Sequence, residues 1–190
     1  PDLLKKDFII ETGDAYGVDF VLKYSTEKTY LWAVYSLGKV TRWDGLRTYS
    51  PLFDRRHNIN LVGTQKFGKD NGWEINLRWN YGSGLPFTQT QGYYHSIDYS
   101  QGINTNISSA NDNQLGLIYA DLNQGRLSAY HRLDFAIKKH IDINDKSTLD
   151  ITASVTNIYS RKNIFYVDRV TTEKVYQLPI LPSLGISWKF

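Results

Sequence analysis

The sequence predicts an all-β fold, an antiparallel transmembrane β-barrel to which this chain contributes about seven strands. The first observation is a strict alternation of apolar and polar residues in several segments of strand length. The second is that short turns and long loops alternate along the chain. The third is the position of the aromatic residues, many of which stand at the ends of the alternating segments.

The clearest strand covers residues 73–81, where every odd position is apolar and every even position is polar. A period of two places apolar side chains on one face of a strand and polar side chains on the other. Residues 29–40 are apolar on both faces, so the pattern leaves the register of that strand open. The remaining predicted strands are residues 16–24, 56–67, 131–141, 149–155 and 183–190.

The links between these strands are of two kinds. Residues 25–28, 68–72 and 142–147 are short and rich in turn-forming residues. The long links are residues 42–55, 85–130 and 160–178. In an antiparallel meander every other link lies at the same end of the sheet, so one end carries turns and the other carries loops. Bacterial outer-membrane barrels have short periplasmic turns and longer extracellular loops.

Aromatic residues decide between such a barrel and a soluble β-sandwich, which has the same alternation. Membrane barrels carry a girdle of aromatic residues at each interface. The segment from Trp73 to Tyr81 extends about 27 Å, or roughly 20 Å of height after a strand tilt of about 40°. This height is near that of an apolar belt in an outer membrane. The predicted girdle residues are Tyr24, Tyr30, Phe67, Trp73, Tyr81 and Tyr159.

Composition excludes several other classes. The net charge is +3, with 22 basic and 19 acidic residues that form no basic stripe, so no nucleic-acid partner is expected. The chain has no Cys, and no stretch approaches the 18 apolar residues of a transmembrane helix. Its histidines are dispersed, with no pair at metal-ligand spacing. We therefore expect no enzyme activity, no catalytic residue, no metal and no cofactor.

The chain begins with Pro rather than Met, which predicts that it is part of a longer protein.

Five runs of the sequence carry a resemblance to a known family: residues 53–61 (FDRRHNINL), 79–88 (WNYGSGLPFT), 130–135 (YHRLDF), 157–163 (NIYSRKN) and 181–190 (LPSLGISWKF). In order and spacing they resemble the last third of the barrel of TonB-dependent outer-membrane receptors. Residues 13–19 (GDAYGVD) are similar to the entry to an earlier strand of that barrel.

The resemblance implies a 22-stranded barrel filled by a globular plug, in the outer membrane of a Gram-negative bacterium. Residues 1–190 would form its C-terminal segment, with the plug and the earlier strands outside this chain. The implied function is uptake of a scarce ligand from the cell surface to the periplasm, energised by TonB through the plug. The implied partners are the remainder of the barrel and its plug, outer-membrane lipids, the barrel-assembly machinery and, in some members, a surface lipoprotein lid.

Two other hypotheses stay open. A receptor-like barrel could act as a structural subunit of a larger outer-membrane assembly without transport, because a fold does not determine a function. A soluble carbohydrate-binding β-sandwich is the third interpretation.

The polar face of the strands supplies the residues expected to face the barrel lumen and the plug. Both signs of charge are present on it, as suits groups that exchange partners with water when a plug moves. These residues are Asp19, Lys23, Glu74, Arg78, Arg132, Asp134, Lys138 and Asp150.

Two further sets of candidate functional residues lie at the C-terminus and in the longest loop. In the resemblance, a terminal aromatic residue preceded by apolar residues at every second position is the signal that the assembly machinery recognises. This signal is matched by Leu184, Ile186, Trp188 and Phe190.

The loop at residues 85–130, about 46 residues long, is far longer than a routine connection. Its candidate ligand- or partner-binding residues are Tyr93, Tyr94, Tyr99 and Tyr119.

Overall fold

The computed structural model of the chain describes residues 11–95, 115–144 and 147–190. This part is all-β, and its main sheet is antiparallel, with eight strands. Seven of them are long, and they pair in chain order: β1 (Thr12–Ser25), β2 (Thr29–Trp43), β4 (His57–Phe67), β5 (Trp73–Gly82), β10 (Tyr130–Asn144), β11 (Ser147–Thr156) and β14 (Leu181–Lys189).

All seven predicted long strands are confirmed, and so is the order of short turns and long loops. The sequence did not predict seven short strands: β3 (Thr48–Tyr49), β6 (Pro86–Phe87), β7 (Thr90–His95), β8 (Leu115–Tyr119), β9 (Gly125–Arg126), β12 (Ile164–Val167) and β13 (Lys174–Tyr176). They lie within the long links, where β3 pairs with β2 and the others form two-stranded sheets. The turn between β4 and β5 holds a short 3-10 helix, Lys69–Asn71. None of the helices described is long and apolar enough to cross a membrane.

The long links all emerge at one end of the main sheet. We name them loop 1 (residues 44–56, between β2 and β4), loop 2 (residues 83–129, between β5 and β10) and loop 3 (residues 157–180, between β11 and β14). The short turns and the C-terminal end of β14 lie at the opposite end. We call the two ends the loop end and the turn end.

The register gives the main sheet one apolar and one polar face. Side chains of directly opposed residues point to the same face of a sheet. The apolar positions of β5 oppose apolar positions of its neighbours; Trp79, for example, lies opposite both Leu61 and Leu133. On the other face, Asn80 lies opposite Asn60, and their amide groups form a hydrogen bond. The alternation read from the sequence therefore extends across strands as two continuous surfaces, the apolar face and the polar face.

The sheet has no apolar core of its own. Among the residues described, no Ala, Val, Ile, Leu, Phe, Tyr or Trp side chain is buried; the buried polar residues are Asp54, Asn123, Ser147, Asn157 and Asn163. The apolar face is instead exposed, with 69% of Leu22 and 74% of Leu184 accessible. Exposed apolar area of this extent marks a surface that meets another apolar phase or protein.

The strands are staggered as in a tilted sheet. One row of directly opposed residues crosses all seven long strands: Tyr24, Leu31, Gly63, Leu77, Phe135, Val155 and Pro182. The row begins next to the turn end of β1, at the residue before Ser25, and finishes near the loop end of β14, seven residues before Lys189. It therefore climbs by about one residue per strand. For a rise of about 3.3 Å per residue and a strand spacing of about 4.8 Å, this stagger corresponds to a tilt of about 35°.

The edge strand β14 explains the proline near its start. The sequence pattern predicts that the last strand begins at Ser183, directly after Pro182. The strand includes Pro182, which lies opposite Val155 of β11. Proline lacks an N–H group and is tolerated mainly in edge strands or at the first residues of a strand. Pro182 is the second residue of β14, and β14 is an edge strand, because β11 is its only partner in the part of the chain described.

Engineered disulfides test the register of β4 and β5. Thr64 lies opposite Asn76, and its hydroxyl donates a hydrogen bond of 2.7 Å to the Asn76 side chain. Directly opposed Cα atoms are about 4.5–5.5 Å apart, within the range that a disulfide spans. The pair Thr64→Cys with Asn76→Cys should cross-link under mild oxidation, as detected by mass spectrometry of unreduced peptides.

The matched control is Thr64→Cys with Ile75→Cys, since Ile75 lies on the opposite face. The native chain has no Cys to compete. A cross-link in the control pair and none in the test pair would mean that the register is shifted by one residue.

Candidate functional site

The loop end is the candidate site, because the three long loops meet there over a rigid polar base. Of the five buried polar residues in the described ranges, four lie in these loops and one, Ser147, lies at the turn end. Buried polar groups are costly unless they are hydrogen-bonded, so each of the four needs partners.

Asp54 joins loop 1 to loop 2. Its side chain is almost fully buried and accepts a hydrogen bond of 2.9 Å from the backbone N–H of Val40. The guanidinium of Arg126 lies 2.5 Å from the other carboxylate oxygen and also donates to the backbone carbonyls of Asp54 and Gly84. Asp54 and Arg126 together thus connect loop 1, loop 2 and β2.

Asn157 starts loop 3 and is completely buried. Its backbone has a positive φ of 55°, a conformation that Asn tolerates better than most residues. The side-chain amide donates to the carbonyls of Arg161 and Leu178, at 3.0 and 3.1 Å, and the amide oxygen accepts from the N–H of Arg161. The backbone N–H of Asn157 donates to the carboxylate of Asp134 at 3.0 Å. Asn157 therefore joins the beginning of loop 3 to its end, through Leu178, and attaches the loop to the main sheet through Asp134.

Asn163 and Asn123 complete the base. The Asn163 amide pairs with the backbone of His131 in both directions, donating at 2.9 Å and accepting at 3.1 Å, as a neighbouring strand would. The Asn123 amide donates to the carbonyl of Ser50 at 2.9 Å and so ties loop 2 to loop 1. The Thr88 hydroxyl bonds the Asn123 side chain and accepts from its backbone N–H.

Gly84 shows how closely loop 2 is packed at its base. A Cβ atom on Gly84 would overlap the carbonyl oxygen of Leu127, so only glycine fits at this point. The two segments of loop 2 are joined nearby by a backbone hydrogen bond of 2.9 Å from Leu127 to Leu85.

Two clefts open between the loops above this base. Cleft A has a volume of about 530 Å³ and is lined by residues of all three loops, among them Arg47, Phe53, Tyr119 and Arg169. Cleft B has a volume of about 770 Å³ and lies between loops 1, 2 and 3, with mainly apolar walls. Both volumes lie within the usual range for small-molecule sites, about 300–1,000 Å³.

The tyrosines predicted for ligand or partner binding are only partly grouped. Tyr119 lines cleft A, beneath the guanidinium of Arg169. The Tyr93 hydroxyl donates to the carbonyl of Val170 at 2.8 Å and so attaches loop 2 to loop 3. Tyr94 is exposed on the same hairpin, whereas Tyr99 lies outside the described residues. A binding role for these tyrosines stays a prediction.

The eight residues expected to face a lumen all lie on the polar face. The register places Arg78 opposite Asp134 and Lys138 opposite Glu74, so opposite charges face one another across β5 and β10. Arg132 also forms an ion pair of 2.9 Å with Asp134. The other members occupy the same face of their strands: Asp19, Lys23 and Asp150. Their exposure to a barrel lumen stays a prediction.

The predicted girdle residues separate into two levels, with one exception. At the turn end of the apolar face, the rings of Phe67 and Trp73 stack 6.4 Å apart. Tyr24 lies near the same end of that face, and Tyr81 lies near the loop end. Tyr30 is the exception, because it lies opposite Thr64 on the polar face and beneath Lys23. A position beside a turn did not determine which face the ring occupies.

Two tyrosine–histidine pairs mark the loop end of the apolar face. The Tyr35 hydroxyl lies 2.9 Å from Nδ1 of His57, and the Tyr159 hydroxyl lies 2.7 Å from Nδ1 of His131. Each tyrosine thus has an apolar ring and a hydroxyl group that is hydrogen-bonded.

At the turn end, His140 bonds to Asp150 and Asp142. The described residues contain no cluster of three or more His, Asp or Glu arranged to hold a metal ion.

The terminal strand carries the predicted assembly signal on the apolar face. Leu184 and Ile186 lie opposite Ala153 and Ile151 of β11. The indole N–H of Trp188 donates to the hydroxyl of Ser147 at 2.7 Å, and the ring of Phe190 packs edge-on against it, 5.8 Å away. All four side chains remain exposed, and recognition by an assembly machine stays a prediction.

Sequence reasoning missed the residues that build the base. Asp54, Asn157 and Asn163 lie in runs that carry the family resemblance, but those runs do not identify their partners. Arg126 was not singled out at all, since 72 residues separate it from Asp54. The sequence did contain one indication of the first three residues, because each of them is polar and lies close to the end of a strand and inside a matching run.

The chain was compared with protein-family models, with curated proteins and with solved structures, and none of the three comparisons gives a match.

The Asp54 network should respond to pH in a defined direction. Burial alone would raise the pKa of Asp54, but the hydrogen bonds from Arg126 and from the Val40 N–H outweigh it and hold the pKa below its ordinary value. A depressed pKa stabilises the loop base above the unfolded-state pKa, near 3.9, and this contribution is lost as the pH falls through the lower folded value. A spin label at Leu52→Cys should show unchanged mobility between about pH 5 and 8 and higher mobility only below about pH 4.

The matched variant is Asp54→Asn, which retains an oxygen acceptor but loses the charge. It should leave the same label more mobile throughout the range and remove the acid transition. An acid transition that persists in Asp54→Asn would assign the pH response to another group.

Proposed function

We propose that this chain is the C-terminal, seven-stranded part of the barrel of a TonB-dependent outer-membrane receptor, which moves a scarce ligand from the cell surface into the periplasm. The observation that carries the proposal is an apolar face that continues across seven long strands, with no second layer over it among the residues described. The runs that resemble the family supply its specific identity.

Lipid is the partner that best fits this face. A β-sandwich needs two sheets packed face to face, about 10 Å apart. The described strands outside the main sheet form only two-stranded pairs within the loops. Aromatic rings with bonded polar tips border the apolar face at the loop end, and Phe67 and Trp73 border it at the turn end. This is the arrangement that an apolar belt between two membrane interfaces requires.

The edges of the sheet favour a larger barrel over closure of this chain on itself. β1 and β14 both run from the loop end to the turn end, so they are parallel to each other. Pairing them directly would introduce a parallel contact into an antiparallel sheet. An all-antiparallel barrel therefore needs an odd number of additional strands between them, and a 22-stranded barrel supplies fifteen. Unpaired strand edges in lipid would cost several kcal/mol for each unsatisfied backbone group.

The stagger of the strands supports the same proposal. A tilt of about 35° lies at the lower end of the range found in closed membrane barrels, about 35–45°. In this orientation the turn end faces the periplasm and the loop end faces the cell exterior. The polar face then lines a lumen, where the opposed charges of β5 and β10 are available to a plug.

A structural subunit of a larger outer-membrane assembly is the alternative function. It would retain the same barrel, lipid face and loops but would lack coupling to TonB. The sequence of the full-length protein discriminates between the two, because a missing plug or TonB-contacting segment favours the structural role.

Genetic dependence on TonB tests the transport proposal. Strains lacking this protein, lacking TonB or lacking both should be grown with iron complexes, corrinoids, glycans or peptides as the limiting nutrient. The protein-deficient strain should fail on at least one nutrient, and the strain lacking TonB should fail on the same one, with no further loss in the double mutant. If loss of this protein reduces growth equally with and without TonB, the structural alternative is favoured.

Charge substitution tests the lipid face. Phe135 lies on the apolar face at the middle of β10, opposite Leu77 and Val155, and Ala136 follows it on the polar face. Phe135→Arg should destabilise the folded barrel by about 2–4 kcal/mol, because it places a charge in the hydrocarbon layer. Ala136→Arg should cost much less, because its charge reaches water in the lumen. The measurement is the heat-modifiable folded fraction in outer-membrane preparations, and equal losses in the two variants would contradict a lipid-facing apolar side.

A further inference from the structure

We propose that clefts A and B form one binding site for a ligand that carries a carboxylate next to a flat apolar or sugar-ring face, with Arg169 as the residue that binds the carboxylate. This inference rests on the proposed receptor function and names the chemical class of its ligand. It depends on the charge, the aromatic rings and the rigid backbone around Arg169.

Arg169 stands where the two clefts meet. It lines both of them, together with Leu52 and Thr88. A ligand that extends from one cleft into the other would contact Arg169, whether most of the ligand lies in cleft A or in cleft B. The combined site therefore offers a cation at its centre, with space on either side.

The charges lining the site differ between the clefts. Among the residues that the structure describes, no acidic side chain lines cleft A, whereas three arginines do: Arg42, Arg47 and Arg169. Arg42 is paired with Glu11 at 3.1 Å, and Arg47 is paired with Asp44 at 3.5 Å. No carboxylate of the described residues forms a salt bridge with Arg169, so its charge is the one left for a ligand.

Asp168 determines which cleft receives the carboxylate. It lines cleft B, where its negative charge would repel an anion. Its carboxylate accepts hydrogen bonds of 2.8 Å from the backbone N–H groups of Val170 and Thr171. The carboxylate of the ligand should therefore lie on the cleft A side of Arg169, and its apolar continuation should lie in cleft B.

The backbone that presents Arg169 is held in place. The Thr90 hydroxyl donates to the carbonyl of Arg169 at 3.1 Å, and the Tyr93 hydroxyl donates to that of Val170 at 2.8 Å. The guanidinium lies over the ring of Tyr119, 5.6 Å from its centroid. A contact with the face of a ring does not use the N–H donors of a guanidinium, which can bind a carboxylate with two parallel hydrogen bonds. The site thus needs little ordering when a ligand binds.

Aromatic rings supply the complementary surface. Cleft A holds Phe53, Tyr49 and Tyr119, and cleft B holds Phe87 and Phe165. Flat apolar faces pack well against such rings, and both aromatic acids and acidic sugars have them. These two sources share the chemistry that the site recognises.

Equilibrium binding to the intact full-length protein in detergent tests the proposal. The probes are two matched pairs: trigalacturonate with neutral galactotriose, and 2-naphthoate with 2-naphthylmethanol. At least one carboxylate should bind at least about tenfold more tightly than its neutral partner and should weaken with rising salt. Preference within the sugar pair identifies an acidic sugar, and preference within the naphthyl pair identifies an aromatic acid.

Variants assign the binding to Arg169. Arg169→Gln should lower the affinity for the preferred carboxylate at least about tenfold, the size expected for lost charge-assisted hydrogen bonds. Arg169→Lys should restore only part of it, because an ammonium lacks the planar fork. The control is Lys174→Gln, which removes one exposed positive charge from loop 3 outside both clefts. Equal binding of carboxylate and neutral probes, binding of no probe, or equal effects of Arg169→Gln and Lys174→Gln would each overturn the proposal.

This binding assay does not involve TonB. Failure of the carboxylate preference would leave a TonB-dependent growth phenotype standing, so it would reject the ligand class alone. Conversely, growth that is independent of TonB would reject the transport proposal while leaving the measured affinities valid.

Discussion

The antiparallel ladder of backbone hydrogen bonds is the interaction on which the rest of this structure depends. Most domains are held together by a buried apolar core, whereas the described residues bury no Ala, Val, Ile, Leu, Phe, Tyr or Trp side chain. The long strands instead satisfy their backbone groups against one another, in register over ten pairs between β4 and β5 and ten between β5 and β10. A shift of one residue would exchange the apolar and polar faces, so the register alone determines where every side chain of the sheet points.

Polar anchors hold the loop end where a core would hold a globular domain. Asp54, Asn157 and Asn163 are buried, and each connects its loop to a strand of the main sheet by a hydrogen bond, to Val40, Asp134 and His131 respectively. Such a residue determines both the position and the direction of a loop, because its bonds are directional and an unpaired buried group is costly. Loop 3, for example, begins and ends on the same Asn157 amide. The loops can therefore be long without losing their relation to the sheet.

The sequence was sufficient for the strands but not for the contacts between loops. A period of two is a local signal, so all seven long strands could be predicted. The sequence also predicted which face each side chain occupies in strands where one side is clearly apolar. The prediction was wrong for Tyr30, because β2 is apolar on both sides and only its pairing with β4 determines the face on which that ring lies. The ion pair of Asp54 and Arg126 joins residues far apart in sequence, and no periodic pattern reports such a contact.

The anchors and the cleft residues are different sets, and this separation has a consequence for binding. Arg169, Phe53 and Tyr119 line the clefts and are exposed, while the buried polar residues below them carry the hydrogen bonds that shape the loops. Substitution of an exposed cleft residue removes few of those bonds, so it should alter ligand preference with little loss of stability. Substitution of a buried anchor would displace a whole loop and would change both clefts together. For the ligand site proposed above, specificity can therefore vary at the surface of the loops while the base that positions them stays constant.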